Sequence, residues 1–285
     1  MQYLILAILC STGVFVSMRL FERFHIENHQ ALMWNYAVAA AAGFLMAPTE
    51  SYDLSLTAMP WFKLSLLTGF WFIFTYLLMT YSSQRSGVTI TSLSSKLSVV
   101  IPTLCGIFIF HEKLNAIAIC GILLAIIALY LVVGGKSRNE KHHSGWVLPL
   151  LIFFGTGIGD MLMKFTERLN KSDDMTFMIA FIYLIAMLFG IGIVVRDGIL
   201  KKTKWQWKSL LGGLGLGLVN YFSTYCMYQG MRCFDNVVLF PIYNIGVVSC
   251  TALAGWLLFK ERLTWKNYLG LGLAIAAVIL ISTQK

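Results

Sequence analysis

Ten apolar stretches, each about 20 residues long, follow one another along the chain with short polar loops between them. A stretch of this length spans the hydrocarbon core of a bilayer as a helix. Hydrophobic residues make up 58% of the chain and charged residues 12%, with a mean hydropathy of +0.74, which excludes an ordinary soluble domain. The sequence therefore predicts an all-α integral membrane protein with ten transmembrane helices, at residues 2–20, 30–47, 60–82, 88–110, 114–134, 146–166, 175–196, 207–230, 237–259 and 264–282.

Several classes of function are disfavoured by the motifs and by the position of the charges. There is no G-x-x-x-x-G-K-[ST] segment, so we expect no ATP hydrolysis by a P-loop, and neither H-E-x-x-H nor a catalytic triad is visible. The six cysteines lack the spacing of a zinc site. The net charge of +9 arises mostly in short loops, where basic residues face anionic lipid headgroups rather than nucleic acid. We therefore expect no enzyme activity, no cofactor, no metal ion and no nucleic-acid partner.

The distribution of basic residues gives a first indication of orientation. Loops that follow odd-numbered spans hold fourteen Lys and Arg residues and the opposite side holds seven, while Lys96 is left inside a span. Because short cytoplasmic loops are enriched in Lys and Arg, this count places both termini outside the cytoplasm.

The two halves of the sequence resemble each other. At an offset of 149 residues the segments around Glu112 and Glu261 align, including both E-[KR]-L motifs, and Tyr76 aligns with Tyr225. Each half then holds five spans, and an odd number of spans makes the second half enter the membrane in the opposite sense. Inverted repeats of this kind are typical of secondary transporters, which bind substrate near the midplane between the halves. The alternative is a duplicated structural bundle without transport activity.

These features resemble the ten-helix EamA-like branch of the drug/metabolite transporter (DMT) superfamily. The resemblance is carried by the five-plus-five repeat, by GIFIFHEKLNAIAICGILLAIIALYLV at 106–132 and by its counterpart GWLLFKERLTWKNYLGLGLAIAAVILIS at 255–282. It implies a first EamA-like five-helix repeat at 1–135, a polar linker at 136–145 and a second repeat at 146–285.

The resemblance also implies a multi-pass protein of the plasma or inner membrane. Similar proteins export amino acids, carry nucleotide sugars or sugar phosphates, or expel drugs, so the substrate stays open. Members usually have both termini in the cytoplasm, which is opposite to the charge count, so the orientation stays open as well. The oligomeric state, monomer or homodimer, is equally undecided.

Lys96 is the clearest anomaly, because it lies inside the fourth span. A charge at the bilayer centre costs at least ~2.5–3.5 kcal/mol, so it should be paired, hydrated or functional. On a helix it belongs to a polar stripe that should face the bundle interior. The stripe consists of Thr89, Ser92, Lys96 and Thr103. Pro102 cannot donate to the Ser98 carbonyl, which predicts a free oxygen in the same region. Lys96 is then either a substrate anchor or one half of a structural ion pair.

Two further charged clusters compete as partners of Lys96. In the sixth span Thr156, Asp160 and Lys164 lie on one helical face, and Asp160 could neutralise Lys96, pair with Lys164 or carry a proton. In the first span Arg19 occupies the corresponding position. For Arg19 and Lys164, anchoring of a helix end and a ligand role are both open.

Polar and aromatic side chains of other spans extend the candidate cavity. Aromatic residues pack anywhere in a membrane protein, but Tyr and Asn in apolar helices bring polar groups that need partners. The remaining candidates for substrate binding are Trp71, Tyr76, Ser92, Asn220, Tyr243 and Asn244.

The sequence thus predicts a secondary transporter of a small anionic or zwitterionic metabolite that works by alternating access. Lys96 would be the electrostatic anchor, Asp160 would be the counter-charge or the proton carrier, and protons are the candidate coupling ion. Three alternatives stay open: a proton-coupled exporter of amphipathic drugs with Asp160 as the essential group, a translocator of a lipid-linked headgroup, and a membrane interaction protein without turnover.

Overall fold

The computed structural model of the protein describes residues 2–47, 59–102, 104–105, 116–134, 147–170, 175–233, 236–261 and 263–282. Within these ranges the chain is helical and contains no strand. Its helices of ten or more residues are α1 (Gln2–Arg23), α2 (Asn28–Met46), α3 (Phe62–Arg85), α4 (Val88–Leu97), α5 (Ala116–Gly134), α6 (Val147–Leu169), α7 (Thr176–Leu200), α8 (Trp207–Cys233), α9 (Asn236–Phe259) and α10 (Trp265–Ser282). This confirms the predicted all-α fold class.

The surface and the helix lengths both fit a bilayer. In the described part of the chain, α1, α3, α6, α7 and the segment Ile242–Phe259 of α9 are long and apolar enough to cross a membrane. Large apolar side chains such as Leu211, Leu253 and Leu257 are more than half exposed. Water would disfavour so much exposed apolar surface, whereas lipid chains accommodate it. The protein is therefore an integral membrane protein, as predicted.

The fourth predicted span differs from the expected continuous helix. The helix α4 ends at Leu97, the chain turns at Ser98 and Val99, and helical structure resumes at Val100. The expected free carbonyl at Ser98 is wrong, because the Ile101 N–H donates to it at 2.9 Å. The Ser98 hydroxyl also donates to the Ser95 carbonyl at 2.5 Å, so side-chain and three-residue bonds replace the regular helical ladder before Pro102.

Helices from the two halves of the sequence are interleaved. The helix α1 packs against α8 and α9, α2 against α7 and α8, and α3 against α6 and α7. The helix α4 lies against α6 and α9, while α5 packs against α10. Because each helix of the first half contacts a helix of the second, polar groups from both halves reach the same interior.

The loops before α2 and α8 meet at one end of the bundle, which we call the odd-loop face. The Glu27 N–H donates to the Ser209 hydroxyl at 2.9 Å. The Gln30 amide donates to the Lys204 carbonyl at 2.9 Å and accepts from the Gln206 N–H at 3.0 Å. These bonds join loops that are far apart in sequence, and the odd-loop face is held together by them.

Two glycines allow α8 to pack closely on α2. A Cβ atom at Gly213 would lie closer than 3.0 Å to the Ala31 carbonyl, and one at Gly217 would lie equally close to the Asn35 carbonyl. Small residues four positions apart let two helix backbones approach in this way, which is a common source of stability in membranes.

We expect Gly217→Leu to lower the melting temperature of the detergent-purified protein, because the new side chain must push the α2 backbone away at a cost of about 1–3 kcal/mol. Gly215→Leu is the matched control, since no atom lies within 4 Å of its Cβ position. Equal losses for the two variants, measured by thermal unfolding, would contradict the close contact between α2 and α8.

Candidate functional site

The polar stripe of α4 faces α9, in agreement with the predicted interior orientation. The Thr89 hydroxyl donates to the Glu261 carboxylate at 2.8 Å, just beyond the end of α9. The Ser92 hydroxyl lies 2.6 Å from the Thr251 hydroxyl. Ser92 is completely buried, so its role here is to join α4 to α9. The predicted stripe member Thr103 lies outside the described residues.

Lys96 is half-buried in the last turn of α4, and its ammonium lies over an aromatic ring. The Nζ atom is 4.5 Å from the centre of the Tyr243 ring on α9. In the described part of the chain, the ion pairs within 4.0 Å do not include Lys96. A cation–π contact compensates only part of the lost hydration of an ammonium, about 0.5–2 kcal/mol. The alternative of a direct structural ion pair is therefore disfavoured for Lys96.

The Tyr243 hydroxyl is held by a chain of two hydrogen bonds that reaches α1 and, through α1, α8. Its hydroxyl lies 2.5 Å from the Ser11 hydroxyl of α1, which in turn lies 2.5 Å from the Ser223 hydroxyl of α8. Sequence reasoning missed both serines, because a single serine in an apolar helix carries no periodic signal. Together the three hydroxyls fix the ring beneath Lys96.

A narrow cleft of about 10 Å³, room for about one water molecule, lies beside Lys96 between α4, α9 and α10. Lys96 and Asn244 are its polar side chains, and both were predicted as ligand candidates. The other lining residues are apolar: Leu93, Leu97, Ile245, Val248, Ala274, Ile275 and Val278. Ligand sites of proteins are mostly apolar with a few polar groups that orient the ligand, and this cleft has that composition.

Asp160 of α6 is exposed and acts on Lys96. The carboxylate interacts electrostatically with the Lys96 ammonium, near the break after α4. The predicted association of these two charges is therefore present, but as a longer-range interaction rather than a contact pair. Lys164 acts electrostatically on Glu167, one turn towards the end of α6.

Arg19 lies near the C-terminal end of α1, at the odd-loop face, and not beside Ser11. Its guanidinium pairs with Glu22 at 2.9 Å and donates to the Ser83 carbonyl at 3.2 Å. These contacts favour the anchoring role over the ligand role for Arg19.

Two of the predicted polar residues form a hydrogen-bonded chain inside the bundle. The Tyr76 hydroxyl of α3 donates to the Asn220 amide oxygen at 2.7 Å, and the Asn220 amide group donates to Asn35 of α2 at 3.2 Å. Asn35 was not among the predicted site residues, and the structure shows that its side chain is completely buried. The predicted Trp71 donates from its indole nitrogen to the Gly155 carbonyl of α6 at 2.7 Å, which connects α3 to the helix of Asp160.

Some buried polar atoms have no hydrogen-bond partner within the described chain. They are Thr12 Oγ1, Trp34 Nε1, the Asn35 amide nitrogen, the Tyr36 hydroxyl and Ser94 Oγ. Burial of an unpaired polar group is costly, so such groups concentrate where water or a polar ligand is bound. Asn35 accepts a hydrogen bond from Asn220, and the Tyr36 ring lies 5.5 Å from the Tyr76 ring, so these two orphan groups adjoin the Tyr76 chain.

Among the described residues, Glu27, His29 and Asp197 bring metal-ligating atoms within 4.8 Å of one another. Asp197 already accepts from Arg196 at 3.0 Å and from Lys201 at 3.1 Å, and its other oxygen lies 2.5 Å from the His29 Nδ1 atom. Two cations on one carboxylate leave little negative charge for a metal ion. We therefore interpret the cluster as an ion-pair network that joins α2 to α7 at the odd-loop face.

Together the fold and the site define a helical membrane protein with charged and polar groups in its interior, as in membrane transporters. The model of the EamA-like transporter family matches residues 1–134 and 143–283. The chain therefore belongs to the EamA-like transporter family, within the DMT superfamily, which comprises transporters rather than enzymes. It is a multi-pass protein of the inner membrane.

Individual relatives agree with this assignment. A protein of Haemophilus influenzae, described as uncharacterized, is 27% identical over 98% of this chain and 96% of its own length. The spermidine export protein MdtI of Yersinia pestis is 30% identical over 104 residues, which are 36% of this chain and 90% of that protein. A solved crystal structure superposes with a TM-score of 0.61 at 12% identity, covering 96% of each chain, and shows a shared fold.

We expect Tyr243→Leu to reduce the free energy of unfolding by about 1 kcal/mol more than Tyr243→Phe, because only the Leu variant loses the ring beneath Lys96. Thermal unfolding in detergent measures both. In a Lys96→Met background the difference between the Phe and Leu variants should shrink, since the cation is gone. An unchanged difference in that background would show that the ring contributes packing alone.

Proposed function

We propose that the protein is a secondary transporter of a small zwitterionic metabolite with an apolar body, which binds at Lys96 once the narrow cleft beside it widens. Of the two substrate classes predicted from the sequence, anionic and zwitterionic, this proposal keeps the zwitterionic one. The observation that carries the proposal is the half-buried Lys96 ammonium, which has the Tyr243 ring rather than a carboxylate as its contact in the described chain.

The charge of Lys96 supports an anionic group on the substrate. A carboxylate would form charge-assisted hydrogen bonds with the ammonium, which are about twice as strong as neutral ones. The ring of Tyr243 supplies partial compensation when no substrate is bound. Lys96 is then stable enough in the empty protein and still gains from binding an anion.

Asp160 supports a second, positive group on the same substrate. Its carboxylate is exposed and interacts with Lys96 over a distance longer than a salt bridge. Asp160 lies on α6 and does not line the cleft, so a zwitterion that reaches both charges extends past Lys96 towards α6 and replaces their mutual attraction with two direct contacts. The apolar lining of the cleft, including Leu93, Ile245 and Val248, favours an apolar body between or beside the charged groups.

The hydrogen bonds across the odd-loop face support alternating access. That face is closed by bonds between Glu27 and Ser209 and by those of Gln30, which join the two halves of the sequence. In such a state a substrate would exchange with the opposite face, and rearrangement of the halves would open the odd-loop face in turn.

A second candidate function is export of an organic cation. It is favoured by the exposed Asp160 and by the similarity to a spermidine export protein. In this case Asp160 would bind the cation or exchange it for a proton, and Lys96 would only tune the carboxylate. Asp160→Asn would then abolish proton coupling.

Three related probes separate the two candidates: L-leucine as the zwitterion, N-acetyl-L-leucine as the anion and L-leucinamide as the cation. For the purified protein we expect leucine to raise the melting temperature, because a ligand stabilises the state that it binds. Lys96→Met should weaken leucine binding by about 2–5 kcal/mol, since it removes one charge of a desolvated pair. Asp160→Asn should weaken it as well, and the exposed Lys208→Met is the matched control.

The same probes also define the result that would reject the zwitterion proposal. If only leucinamide binds, and its binding is retained in Lys96→Met and lost in Asp160→Asn, the protein exports a cation instead. Counterflow of radiolabelled leucine in proteoliposomes then tests whether binding leads to transport.

A further inference from the structure

The E-R-L motif that follows α9 does not line the cleft. Its glutamate, Glu261, reaches the first turn of α4, whereas Lys96 lies in the last turn of that helix. After α9 ends, Lys260 adopts a left-handed conformation with φ of 53°. The Glu261 N–H then donates to the Gly255 carbonyl at 3.0 Å. This tight return turn directs the Glu261 side chain towards the first turn of α4.

Glu261 satisfies the backbone at the start of α4. Its carboxylate accepts from the Val88 N–H at 2.7 Å, from the Thr89 N–H at 3.3 Å and from the Thr89 hydroxyl at 2.8 Å. The first N–H groups of a helix have no intrahelical acceptor, and the N-cap residue Gly87 has no side chain to provide one. A carboxylate in this position is also stabilised by the positive end of the helix dipole.

Two glycines make room for this carboxylate. A Cβ atom at Gly87 would lie closer than 3.0 Å to the Glu261 side chain. A Cβ atom at Gly255 would clash in the same way with Glu261 and with the Thr89 hydroxyl. Gly87 also has a φ of 94°, which other residues rarely adopt. The glutamate therefore occupies a fitted recess rather than an open surface.

The helix α4 connects its first turn, which Glu261 holds, to Lys96 in its last turn. The helix is ten residues long and ends at the break after Leu97. Along its length it contacts the α9 region at three levels, through Glu261 at the first turn, Thr251 in the middle and Tyr243 at Lys96. Because a helix of only ten residues is marginally stable by itself, loss of the attachment at its first turn should loosen the whole helix, including the last turn that carries Lys96.

We propose that Glu261 is the positioning residue of the site: it fixes the N-terminus of α4 and thereby holds Lys96 over Tyr243, beside the cleft. This inference rests on the proposed function, because it takes Lys96 as the group that binds the substrate. Glu261 itself does not contact the substrate.

The test combines hydrogen exchange of the empty protein with leucine binding. Glu261→Gln removes the charge of the cap, and Gly255→Ala keeps the charge but displaces the carboxylate. In both variants we expect the amides of α4, including its last turn, to exchange roughly tenfold faster, and the Kd for leucine to rise roughly tenfold. Glu22→Gln is the matched control, since Glu22 is an exposed carboxylate near the odd-loop face that pairs with Arg19. It should change neither quantity.

Lys96→Met separates this inference from the proposed function. That variant should lose leucine binding while the first turn of α4, which Glu261 holds, keeps its wild-type exchange rates. If Lys96→Met binds leucine normally, the proposed function fails whatever the Glu261 variants do. If Lys96→Met loses binding while Glu261→Gln and Gly255→Ala keep wild-type exchange and Kd, the positioning role of Glu261 is overturned. The exchange measurement needs no ligand, so faster exchange limited to the first turn also overturns it.

Discussion

The contact between the Lys96 ammonium and the Tyr243 ring joins α4 of the first half of the chain to α9 of the second half. A charge at this depth needs compensation, and a ring quadrupole provides some of it without neutralising the charge. Tyr243 is held in turn by Ser11, which also bonds to Ser223, so this contact is connected to α1, α4, α8 and α9. The arrangement keeps a positive charge available inside the membrane, which a buried salt bridge would not.

The rest of the bundle combines tight apolar packing with polar connections that lie at different depths. The α2–α8 contact depends on glycines whose backbones meet directly, as at Gly213 and Gly217. Near the interior, Tyr76, Asn220 and Asn35 connect α3, α8 and α2 by hydrogen bonds. Helices in lipid gain little from apolar contact alone, because lipid chains are equally apolar. Hydrogen bonds between the helices therefore contribute to the specificity of their packing.

The helices could be predicted because a continuous apolar run of this length crosses a bilayer as a helix. The bounds of α3, α7 and α9 agree with the prediction within a few residues. The direction of the α4 stripe followed from helical periodicity in the same way. The break after Leu97 could not be predicted in detail, since it depends on which donors reach the Ser98 carbonyl.

The hydrogen-bond partners of the site residues were harder to predict than the site residues themselves. Lys96 stands out in the sequence because a charge in an apolar run is rare. Ser11 and Asn35 became visible only in three dimensions, because each is recognised by a partner about 200 residues away, Ser223 and Asn220. Glu261 was found as part of a repeat motif, but its attachment to α4 depends on the turn at Lys260 and on the space left by Gly87.

The most direct test of the central claim is an experimental structure of the protein with a bound zwitterionic ligand, obtained with leucine or with a stronger ligand of the same class. The account predicts the ligand carboxylate within about 4 Å of the Lys96 Nζ atom, the distance of an ion pair, and the ligand ammonium directed towards Asp160. A ligand bound elsewhere, with the Lys96 ammonium still over the Tyr243 ring, would contradict it.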